Sequence, residues 1–375
     1  MKVKILFIIT TFQKDGPGNY LRYIIKYMDK EKFDIYACCL YNNGEIEKDL
    51  KALGVKTFTF DMKGFTDFSV VGKLKKLIHQ IEPDIVNTIL LRADLYGRFA
   101  AKNNCKVLIS TILNQDDYRK KRTIKEKILM YFDEKLSNNY TDKILVEAQG
   151  VRDYCIKYQD IDVNKYEVIH SLIDVNEANG RVAHPFSNNN IIIGTAGRLH
   201  EQKGQKYLVE AFSTLSSKYP NAYLYIYGEG ELKDELTELV LSLGIEQKVE
   251  FKGYSYDLYS DLSELDVYVM PSMWEGGAPI SVLTAMTVGL PIVTTKVGGI
   301  EEFISDNAEG FLIDILEKEN LVELIASRLD YCINNPQLAQ EIGVSARRKV
   351  NNNFSAEIVS KEYQNLCMKL LAEKK

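Results

Sequence analysis

The sequence predicts an α/β protein of two domains, each built on a parallel β-sheet that helices cover on both faces. Short apolar or β-rich segments alternate with longer helix-like segments along most of the chain. The length of 375 residues favours two domains, each large enough for its own core. A polar stretch with Gly and Pro, residues 176–190, separates two halves that both show this alternation and reads as a linker.

The first half alternates between strand-like and helix-like segments from its beginning. The predicted strands are Lys4–Thr10, Asp34–Leu40, Thr57–Phe60, Ile85–Leu90, Val107–Thr111, Lys143–Val146 and Glu167–Ile169. The predicted helices are Tyr20–Met28, Val70–Ile81, Asp94–Lys102, Ile124–Leu136 and Gln149–Tyr158. Strands that alternate with helices in this way imply a parallel sheet with helices on both faces.

The second half repeats the alternation from Ile191 to Leu312. We therefore predict a first domain over residues 1–178 and a second over residues 190–355. The last twenty residues, 356–375, read as an amphipathic helix. Open parallel sheets bind ligands beyond the carboxyl ends of their strands, so the loops that follow strands are the places to look for a site.

Charge and composition narrow the classes of protein that fit. The first 178 residues hold 29 Lys+Arg against 25 Asp+Glu (+4), and the remaining 197 hold 18 against 27 (−9), which together give the net charge of −5. A mildly basic first half suits an anionic acceptor or a membrane surface, although ordinary surface variation explains it nearly as well. The acidic total and the lack of a basic-aromatic motif argue against nucleic acid. The six scattered cysteines fit a reducing cytoplasm, and no apolar run approaches the ~20 residues of a membrane span.

The loop Gly197–Gly204 carries two cations directly after an apolar strand. Arg198 and Lys203 lie five positions apart, and a helix is expected to begin near Tyr207. Isolated cations are most often solvated surface charges. Here the buried strand before them and the glycines around them favour contact with phosphate, for which Arg can grip two oxygens and Lys acts as a point charge.

A second loop follows the predicted strand Val267–Met270. Glu275 stands before two glycines, and Ile280–Val288 reads as a helix. A flexible turn at a helix N-terminus is an anion site, because its backbone N–H groups point outward. Glu275 reads either as a turn carboxylate or as an acceptor of hydrogen bonds from sugar hydroxyls. The two loops together predict a site for a nucleotide-diphosphate sugar.

These residues resemble the group 1 retaining glycosyltransferases of GT-B fold. The similar segments follow one another over more than a hundred residues of the second half: Ile191–Gly204, Ala222–Leu232, Val249–Tyr254, Asp266–Ser272, Thr294–Phe303 and Gly310–Leu312. The first half resembles the family more loosely. The resemblance implies two Rossmann-like domains that face an interdomain cleft, with the last helix crossing back to the first domain. It also implies that Arg198 and Lys203 bind the donor diphosphate and that Glu275 holds the donor sugar; these three are the predicted catalytic residues.

The resemblance further implies a set of donor-binding positions. They are Gly16, Gly18, Gly253, Tyr254, Gly276, Gly277, Ala278, Ile280 and Thr284, besides the three residues above. The chain departs from the family at Thr284, where a second glutamate usually binds the ribose, and at Asn87 and Ile89, where histidines are common. Thr284 can make one hydrogen bond but cannot bridge two hydroxyls as a carboxylate does.

A basic segment stands before the predicted helix at residue 124. It contains Arg119, Lys120, Lys121 and Arg122, and Lys125 and Lys127 follow within the helix. One interpretation is a charged loop before an ordinary packed helix. The other is an electropositive and partly apolar edge that contacts anionic lipid at the inner membrane face.

The sequence thus predicts a cytoplasmic, retaining glycosyltransferase that uses a nucleotide-diphosphate sugar, most simply a UDP-sugar, as co-substrate. The expected acceptor is a glycan or a lipid-linked sugar in the synthesis of a bacterial surface glycan. No cofactor and no metal are implied, because two cations and a helix N-terminus can neutralise the leaving diphosphate. A non-catalytic subunit of GT-B fold and a sugar-phosphate phosphorylase are the alternatives.

Overall fold

The computed structural model describes residues 2–41, 44–113, 123–315 and 320–374, without the side chain of Lys125. Over this part of the chain the protein forms two compact units. The first unit contains the residues up to Leu172 and those from Ala356 onward, and the second runs from Ile173 to Ser355. Each unit is an α/β structure with a parallel sheet, as the alternation of segments predicts.

Seven parallel strands form the sheet of the first unit within the described residues, in the order β3-β2-β1-β4-β5-β6-β7. The strands are β1 Val3–Ile9, β2 Phe33–Cys39, β3 Lys56–Thr59, β4 Ile85–Ile89, β5 Val107–Ile112, β6 Lys143–Val146 and β7 Tyr166–Val168. The helices are α1 Gly16–Lys26, α2 Ile46–Ala52, α3 Ser69–Ile81, α4 Leu91–Ala101, α5 Ile124–Tyr140, α6 Gln149–Tyr158 and, at the end of the chain, α14 Ala356–Glu373. Strand β1 is buried from residue 5 to residue 9, because helices cover both faces of the sheet.

The second unit has six parallel strands among its described residues, in the order β10-β9-β8-β11-β12-β13. They are β8 Ile191–Ala196, β9 Ala222–Tyr227, β10 Val249–Gly253, β11 Val267–Met270, β12 Ile292–Thr295 and β13 Phe311–Ile313. The helices are α7 Gln205–Lys218, α8 Lys233–Ser242, α9 Leu258–Ser263, α10 Ile280–Val288, α11 Ile300–Phe303, α12 Leu321–Asn334 and α13 Pro336–Lys349. Because β8 and β11 are neighbours, the loops that follow them meet at the carboxyl edge of this sheet.

The segment predicted as a linker is part of the second unit, so the first unit ends at Leu172 and not at residue 178. The amide of Ile173 donates to the carbonyl of Phe354 at 3.1 Å. Further along, the amide of Ala183 donates to the carbonyl of Val288 at 2.8 Å. These backbone bonds hold a polar, weakly periodic stretch against the second unit, and composition alone does not reveal them.

The C-terminal helix α14 is tied to the first unit by buried polar contacts. Asn87, in the middle of β4, accepts a hydrogen bond from Thr111 Oγ1 at 3.0 Å and donates through Nδ2 to Tyr363 Oη at 2.8 Å. Ser360 Oγ donates to the carbonyl of Ile24 at 2.8 Å. Asn87, one of the two positions at which the sequence departs from the expected histidines, is fully buried and holds helix α14 in place.

A buried ion network connects helices α4 and α5 of the first unit. Arg98 is 1% exposed, donates through Nε to Ser110 Oγ at 2.8 Å, and pairs with both Asp94 and Asp133. Burial raises the pKa of Asp94 to about 6, although Arg98 opposes the shift. Thr88 Oγ1 also donates to Asp94. Because a buried charge is costly without partners, Asp133 must face inward from α5.

We predict that Tyr363→Phe destabilises the first unit by about 1–3 kcal/mol, because it leaves the buried amide of Asn87 without its acceptor. Urea unfolding followed by circular dichroism measures the change. Tyr256→Phe is the matched control, since that side chain is 87% exposed. Equal unfolding midpoints for the two variants would show that the bond to Asn87 contributes nothing.

Candidate active site

The loop after β8 lies directly against the end of β11. It passes through a short 3₁₀ turn, Glu201–Lys203, and reaches helix α7 through Gly204, which has φ +63°. A Cβ at Gly204 would lie 2.1 Å from the carbonyl oxygen of Pro271. The amide of Met273 also donates to the carbonyl of Gln202 at 2.7 Å. The two loops singled out from the sequence are therefore in contact.

Lys203 and Glu275 form an ion pair across this contact. Lys203 Nζ lies 2.5 Å from Glu275 Oε1, and Gln202 Nε2 lies 3.3 Å from Glu275 Oε2. Glu275 is 6% exposed, so its carboxylate is nearly withdrawn from solvent. The first loop thus binds both oxygens of the carboxylate that the second loop presents.

Arg198 lies beside this pair with its guanidinium in solvent. Its one polar side-chain contact given by the structure is to Gln202 Oε1, at 3.4 Å. Within the described part of the chain, no carboxylate forms a salt bridge with Arg198. Since Lys203 and Glu275 neutralise one another, the positive charge of these three residues remains on Arg198. The site can therefore accept an anion.

Glycines determine the path of the Glu275 turn. A Cβ at Gly298, where φ is +59°, would lie 2.1 Å from the carbonyl oxygen of Gly276 and 2.5 Å from that of Glu275. The amide of Gly299 donates to the carbonyl of Gly276 at 3.0 Å. The loop after β12 is therefore a third wall of the site, and it requires a residue without a side chain at position 298.

Helix α10 begins at Ile280, shortly after Gly276, Gly277 and the buried Ala278. The amides of its first turn point toward the loop, as in any helix N-terminus. Thr284 is 1% exposed, and its Oγ1 donates to the carbonyl of Ile280 at 2.8 Å. The single proton of its hydroxyl is therefore used within the helix, and only lone pairs remain for a ligand.

Gly253 and Tyr254 lie at the carboxyl end of β10. Gly253 has φ +71° and accepts a hydrogen bond from the amide of Gly228 at 2.7 Å. Tyr254 is half exposed, and its ring meets that of Tyr256 edge-on with centroids 5.1 Å apart. The strand order separates β10 from β11 by two strands, so these residues share the sheet edge with Glu275 without adjoining it.

Gly16 and Gly18 belong to the first unit, at the start of α1. The amide of Gly18 donates to Asp15 Oδ1 at 2.9 Å, and a Cβ there would lie 1.9 Å from the carbonyl oxygen of Gln13. Burial raises the pKa of Asp15. The amide of Gly18, a predicted donor-binding position, is thus engaged by a carboxylate, whereas a Cβ at Gly16 would face open space.

The basic residues from Arg119 to Arg122 lie outside the described residues, as does the side chain of Lys125. The helix that follows them, α5, is described, and it exposes apolar side chains while it buries polar ones. Its apolar side chains at positions 124, 128, 131 and 132 are exposed, at 78%, 52%, 59% and 54% for Ile124, Ile128, Tyr131 and Phe132. Its buried positions are the polar Asp133 and Ser137. No helix in the described ranges has both the length and the apolar character needed to cross a bilayer.

Sequence reasoning did not identify Gln202 or Gly298 as site residues. Gln202 lies in the loop after β8. Its side chain contacts Arg198 through Oε1 and, through Nε2, the carbonyl of Trp274 at 3.0 Å and Glu275. The sequence signal that could have identified Gln202 is its position directly before Lys203. Gly298 falls in a segment that carries the family resemblance, but only the structure brings it against Glu275.

Comparison with known protein families identifies two matching sequence models. One, described as glycosyl transferases group 1, matches residues 176–349, and the other, described as glycosyltransferase family 4, matches residues 14–177. The two matches meet near the boundary between the two units and together span most of the chain.

Three relatives extend these matches. The chain is 25% identical to the capsular polysaccharide biosynthesis glycosyltransferase CapM of Staphylococcus aureus, over all of this chain and 99% of that protein. It is 21% identical to the UDP-Gal:alpha-D-GlcNAc-diphosphoundecaprenol alpha-1,3-galactosyltransferase of Escherichia coli, over 88% and 87% of the two chains. A match at 27% identity to an uncharacterized glycosyltransferase of Methanocaldococcus jannaschii spans 60% of this chain and 58% of that protein.

Solved structures share the fold. The crystal structure of Anabaena Alr3699/HepE in complex with UDP superposes with a TM-score of 0.81 at 20% identity, and the match covers 98% of this chain and 100% of that one. Another structure of the same Anabaena protein, in complex with UDP-glucose, gives a TM-score of 0.79. The predicted fold class, two Rossmann-like domains of the GT-B type, is confirmed.

We predict that Gly298→Ala lowers the thermal midpoint more than Gly244→Ala does. Both positions have positive φ, so each variant loses about 1–2 kcal/mol to left-handed backbone. Only at Gly298 would the added Cβ also collide with the Glu275–Gly276 turn, since the space around Gly244 is open. Differential scanning calorimetry compares the two, and equal losses would contradict the close approach at Gly298.

Proposed function

The chain belongs to the group 1 glycosyltransferases, and from that premise we propose that it transfers a hexosyl-type sugar from a UDP-sugar to an acceptor hydroxyl, with retention of configuration. The observation that carries the proposal is the ion pair of Lys203 with the buried Glu275, with Arg198 open to solvent beside it. Two cations suit a diphosphate, and a buried carboxylate suits sugar hydroxyls. The donor is then held on both sides of the bond that breaks.

Arg198 and Lys203 would stabilise the diphosphate as it leaves. Negative charge grows on the leaving oxygen when the glycosidic bond breaks, and fixed cations near that oxygen lower the barrier. Arg198 can bind two phosphate oxygens at once, and Lys203 contributes a compact charge from a half-buried position. The amides at the start of α10, near Ile280, add the positive end of a helix dipole. This arrangement needs no metal ion for charge neutralisation.

Glu275 would change partners when the donor binds. Its carboxylate is bound to Lys203 in the structure, where it balances the cation. A diphosphate carries more negative charge than one carboxylate, so it competes for Lys203 and releases Glu275 to accept hydrogen bonds from the sugar hydroxyls. The acceptor then attacks from the face that the diphosphate leaves, and a diphosphate oxygen takes the acceptor proton.

The remaining donor-binding positions have smaller roles in this proposal. Gly276, Gly277 and Ala278 let the phosphates approach the helix N-terminus closely. Thr284 can only accept a hydrogen bond from the ribose, because its proton is used within α10. Gly253 and Tyr254, and the open position at Gly16, remain candidates for contacts with the nucleotide. Gly18 contributes shape, since its amide is already engaged.

The proposed acceptor is a hydroxyl of a bacterial glycan or of a lipid-linked sugar. Support comes from the names of two relatives, one for capsular polysaccharide biosynthesis and one for transfer from UDP-Gal to a diphosphoundecaprenol-linked sugar. Both names describe those proteins, and the extension to this chain is our proposal. The reaction would take place in the cytoplasm, at or near the inner membrane face.

We predict that Glu275→Gln lowers turnover of sugar transfer by about 10²-fold or more, through loss of the charge that holds the sugar. Its affinity for UDP should be unchanged or tighter, because Lys203 loses its carboxylate partner and becomes free for phosphate. Lys203→Ala should instead weaken UDP binding by about 1.5–3 kcal/mol. Calorimetry with UDP and steady-state kinetics with UDP-glucose, UDP-galactose and UDP-N-acetylglucosamine separate the two effects.

Glu235→Gln is the control for both variants, since Glu235 is an exposed acid on α8 of the same unit. It should change neither turnover nor affinity. Normal turnover in Glu275→Gln would make the carboxylate a structural residue and misplace the site. Donor hydrolysis by the purified wild type distinguishes an active enzyme from a subunit that only binds.

We further propose that helix α5 contacts an anionic membrane surface. Four apolar side chains on the helix are exposed, namely Ile124, Ile128, Tyr131 and Phe132. The basic residues from Arg119 to Arg122 immediately precede it in the sequence. Apolar groups that enter the headgroup layer and cations that bind anionic lipid are the two parts of an interfacial contact. Such a contact would bring the enzyme to a lipid-linked acceptor.

We expect the wild type to sediment with phosphatidylglycerol vesicles and not with phosphatidylcholine vesicles at low salt. Each cation near the anionic surface contributes about 1 kcal/mol, and added salt screens it. The double variant Ile128→Ser/Phe132→Ser should sediment less, whereas Leu241→Ser, a similarly exposed apolar residue on α8, should not differ from wild type. Equal sedimentation with both vesicle types at low salt would rule this contact out.

A further inference from the structure

A second group of residues, three aromatic and one cationic, lies in the first unit at the carboxyl edge of its sheet. It is formed by the segments that follow three parallel strands. Tyr41 follows β2, Phe65 and Phe68 follow β3, and Arg92 follows β4. The carboxyl ends of parallel strands meet at one edge, which is where open α/β sheets bind ligands. None of these four residues belongs to the donor site described above.

Arg92 is the charged member of this group, and aromatic rings hold it. Its Nη1 donates to Tyr41 Oη at 2.7 Å, and its guanidinium carbon lies 5.4 Å from the Tyr41 ring centroid and 5.5 Å from that of Phe65. No salt bridge to Arg92 occurs over the ranges that the structure describes. The guanidinium is thus held by a hydrogen bond and two rings, is exposed, and has no carboxylate at salt-bridge distance among the described residues.

The aromatic members present apolar surface to solvent. Phe68 is 72% exposed and Phe65 38% exposed, and both rings pack against the buried Tyr96, with centroids 6.0 Å and 6.3 Å away. Tyr96 Oη also donates to the carbonyl of Phe65. The loop after β3 is therefore anchored to α4, while the outer faces of its phenylalanines remain uncovered.

The backbone next to Arg92 is strained. Leu90, which precedes α4, has φ +75°, a conformation that a branched residue rarely adopts. Its amide donates to the carbonyl of Thr111 at 3.2 Å, which holds the strand end in this geometry. Backbone strain of this kind costs of order 1–3 kcal/mol and tends to occur at functional sites. Here it directs the first turn of α4, and with it Arg92, to the sheet edge.

We propose that Arg92, Tyr41, Phe65 and Phe68 form an acceptor subsite for a carbohydrate that carries a phosphate or carboxylate group. The proposal rests on the glycosyltransferase function proposed above and specifies the chemistry of its acceptor. Arg92 would bind two oxygens of the anion in a bidentate manner. The exposed rings would pack against the apolar C–H face of the sugar, as aromatic residues commonly do in ligand pockets.

The way Arg92 is held favours a single anionic carbohydrate over a bilayer surface as the occupant. Arg92 is held rigidly by a hydrogen bond and two rings, which suits recognition of one anion in one geometry. The anion has two possible sources. One is the diphosphate of a lipid-linked sugar, and the other is a uronic acid or phosphate within a glycan; both present the same charged oxygens to Arg92.

Calorimetry on the full chain with saturating UDP tests the subsite. The probes are N-acetylglucosaminyl diphosphofarnesol, cellobiouronic acid and neutral cellobiose. We expect at least one anionic probe to bind more tightly than cellobiose, and which one binds distinguishes the two sources. Arg92→Gln should weaken that probe by about 10- to 150-fold, the range for a hydrogen bond to a charged group. Arg92→Lys should recover part of the loss, because it restores the charge but not the paired donors.

Arg348→Gln, an exposed arginine on α13, is the control and should leave probe binding unchanged. The inference is overturned if neither anionic probe binds more tightly than cellobiose, or if Arg92→Gln binds it as wild type does. It is also overturned if Phe68→Ser reduces sedimentation with phosphatidylglycerol vesicles but not probe binding, which would make the group a membrane contact. Hydrolysis of UDP-sugars by Arg92→Gln is measured separately. If the variant still hydrolyses the donor but no longer prefers the anionic probe, the acceptor subsite is distinguished from the donor function.

Discussion

The close approach of the loops after β8 and β11 is the constraint on which the candidate site depends. Gly204 brings the first loop to the carbonyl of Pro271, and Gly298 brings the loop after β12 to the carbonyls of the Glu275 turn. At both positions a Cβ would lie 2.1 Å from a backbone oxygen, well inside van der Waals contact. Because the backbones meet so closely, Lys203 can reach Glu275. The ion pair therefore depends on glycine at positions 204 and 298, which allows the loops to approach one another.

The pairing of Lys203 with Glu275 also neutralises two charges that would each be costly alone. A carboxylate or an ammonium group that is withdrawn from water without a partner is destabilising. Because Lys203 and Glu275 neutralise each other, Arg198 carries the exposed positive charge that would first attract a diphosphate. In the proposed reaction, Glu275 becomes free for the sugar only after phosphate has taken Lys203. Sugar binding is then coupled to the presence of the nucleotide diphosphate.

The sequence predicted the fold class and the contact between the two loops, because strand–helix alternation and the order of family motifs are local or sequential signals. It did not predict what depends on side-chain orientation. Thr284 turns its hydroxyl to the carbonyl of Ile280, and Asn87 turns inward to Tyr363. From the sequence alone, a threonine or an asparagine is equally compatible with a buried hydrogen bond and with a site that faces solvent. The same holds for the segment after Leu172, whose attachment to the second unit rests on backbone bonds that composition does not report.

Helix α5 shows how a buried charge can override an apolar pattern. Residues 124, 128 and 131 recur at helical spacing, and this pattern is compatible both with a side that packs inward and with an exposed apolar edge. Arg98, however, is buried beneath the helix and needs a second carboxylate, which Asp133 supplies. At about 100° per residue, Asp133 lies on the side opposite the apolar positions. Once Asp133 faces inward the apolar side chains must face solvent, and this orientation makes α5 available for the proposed membrane contact.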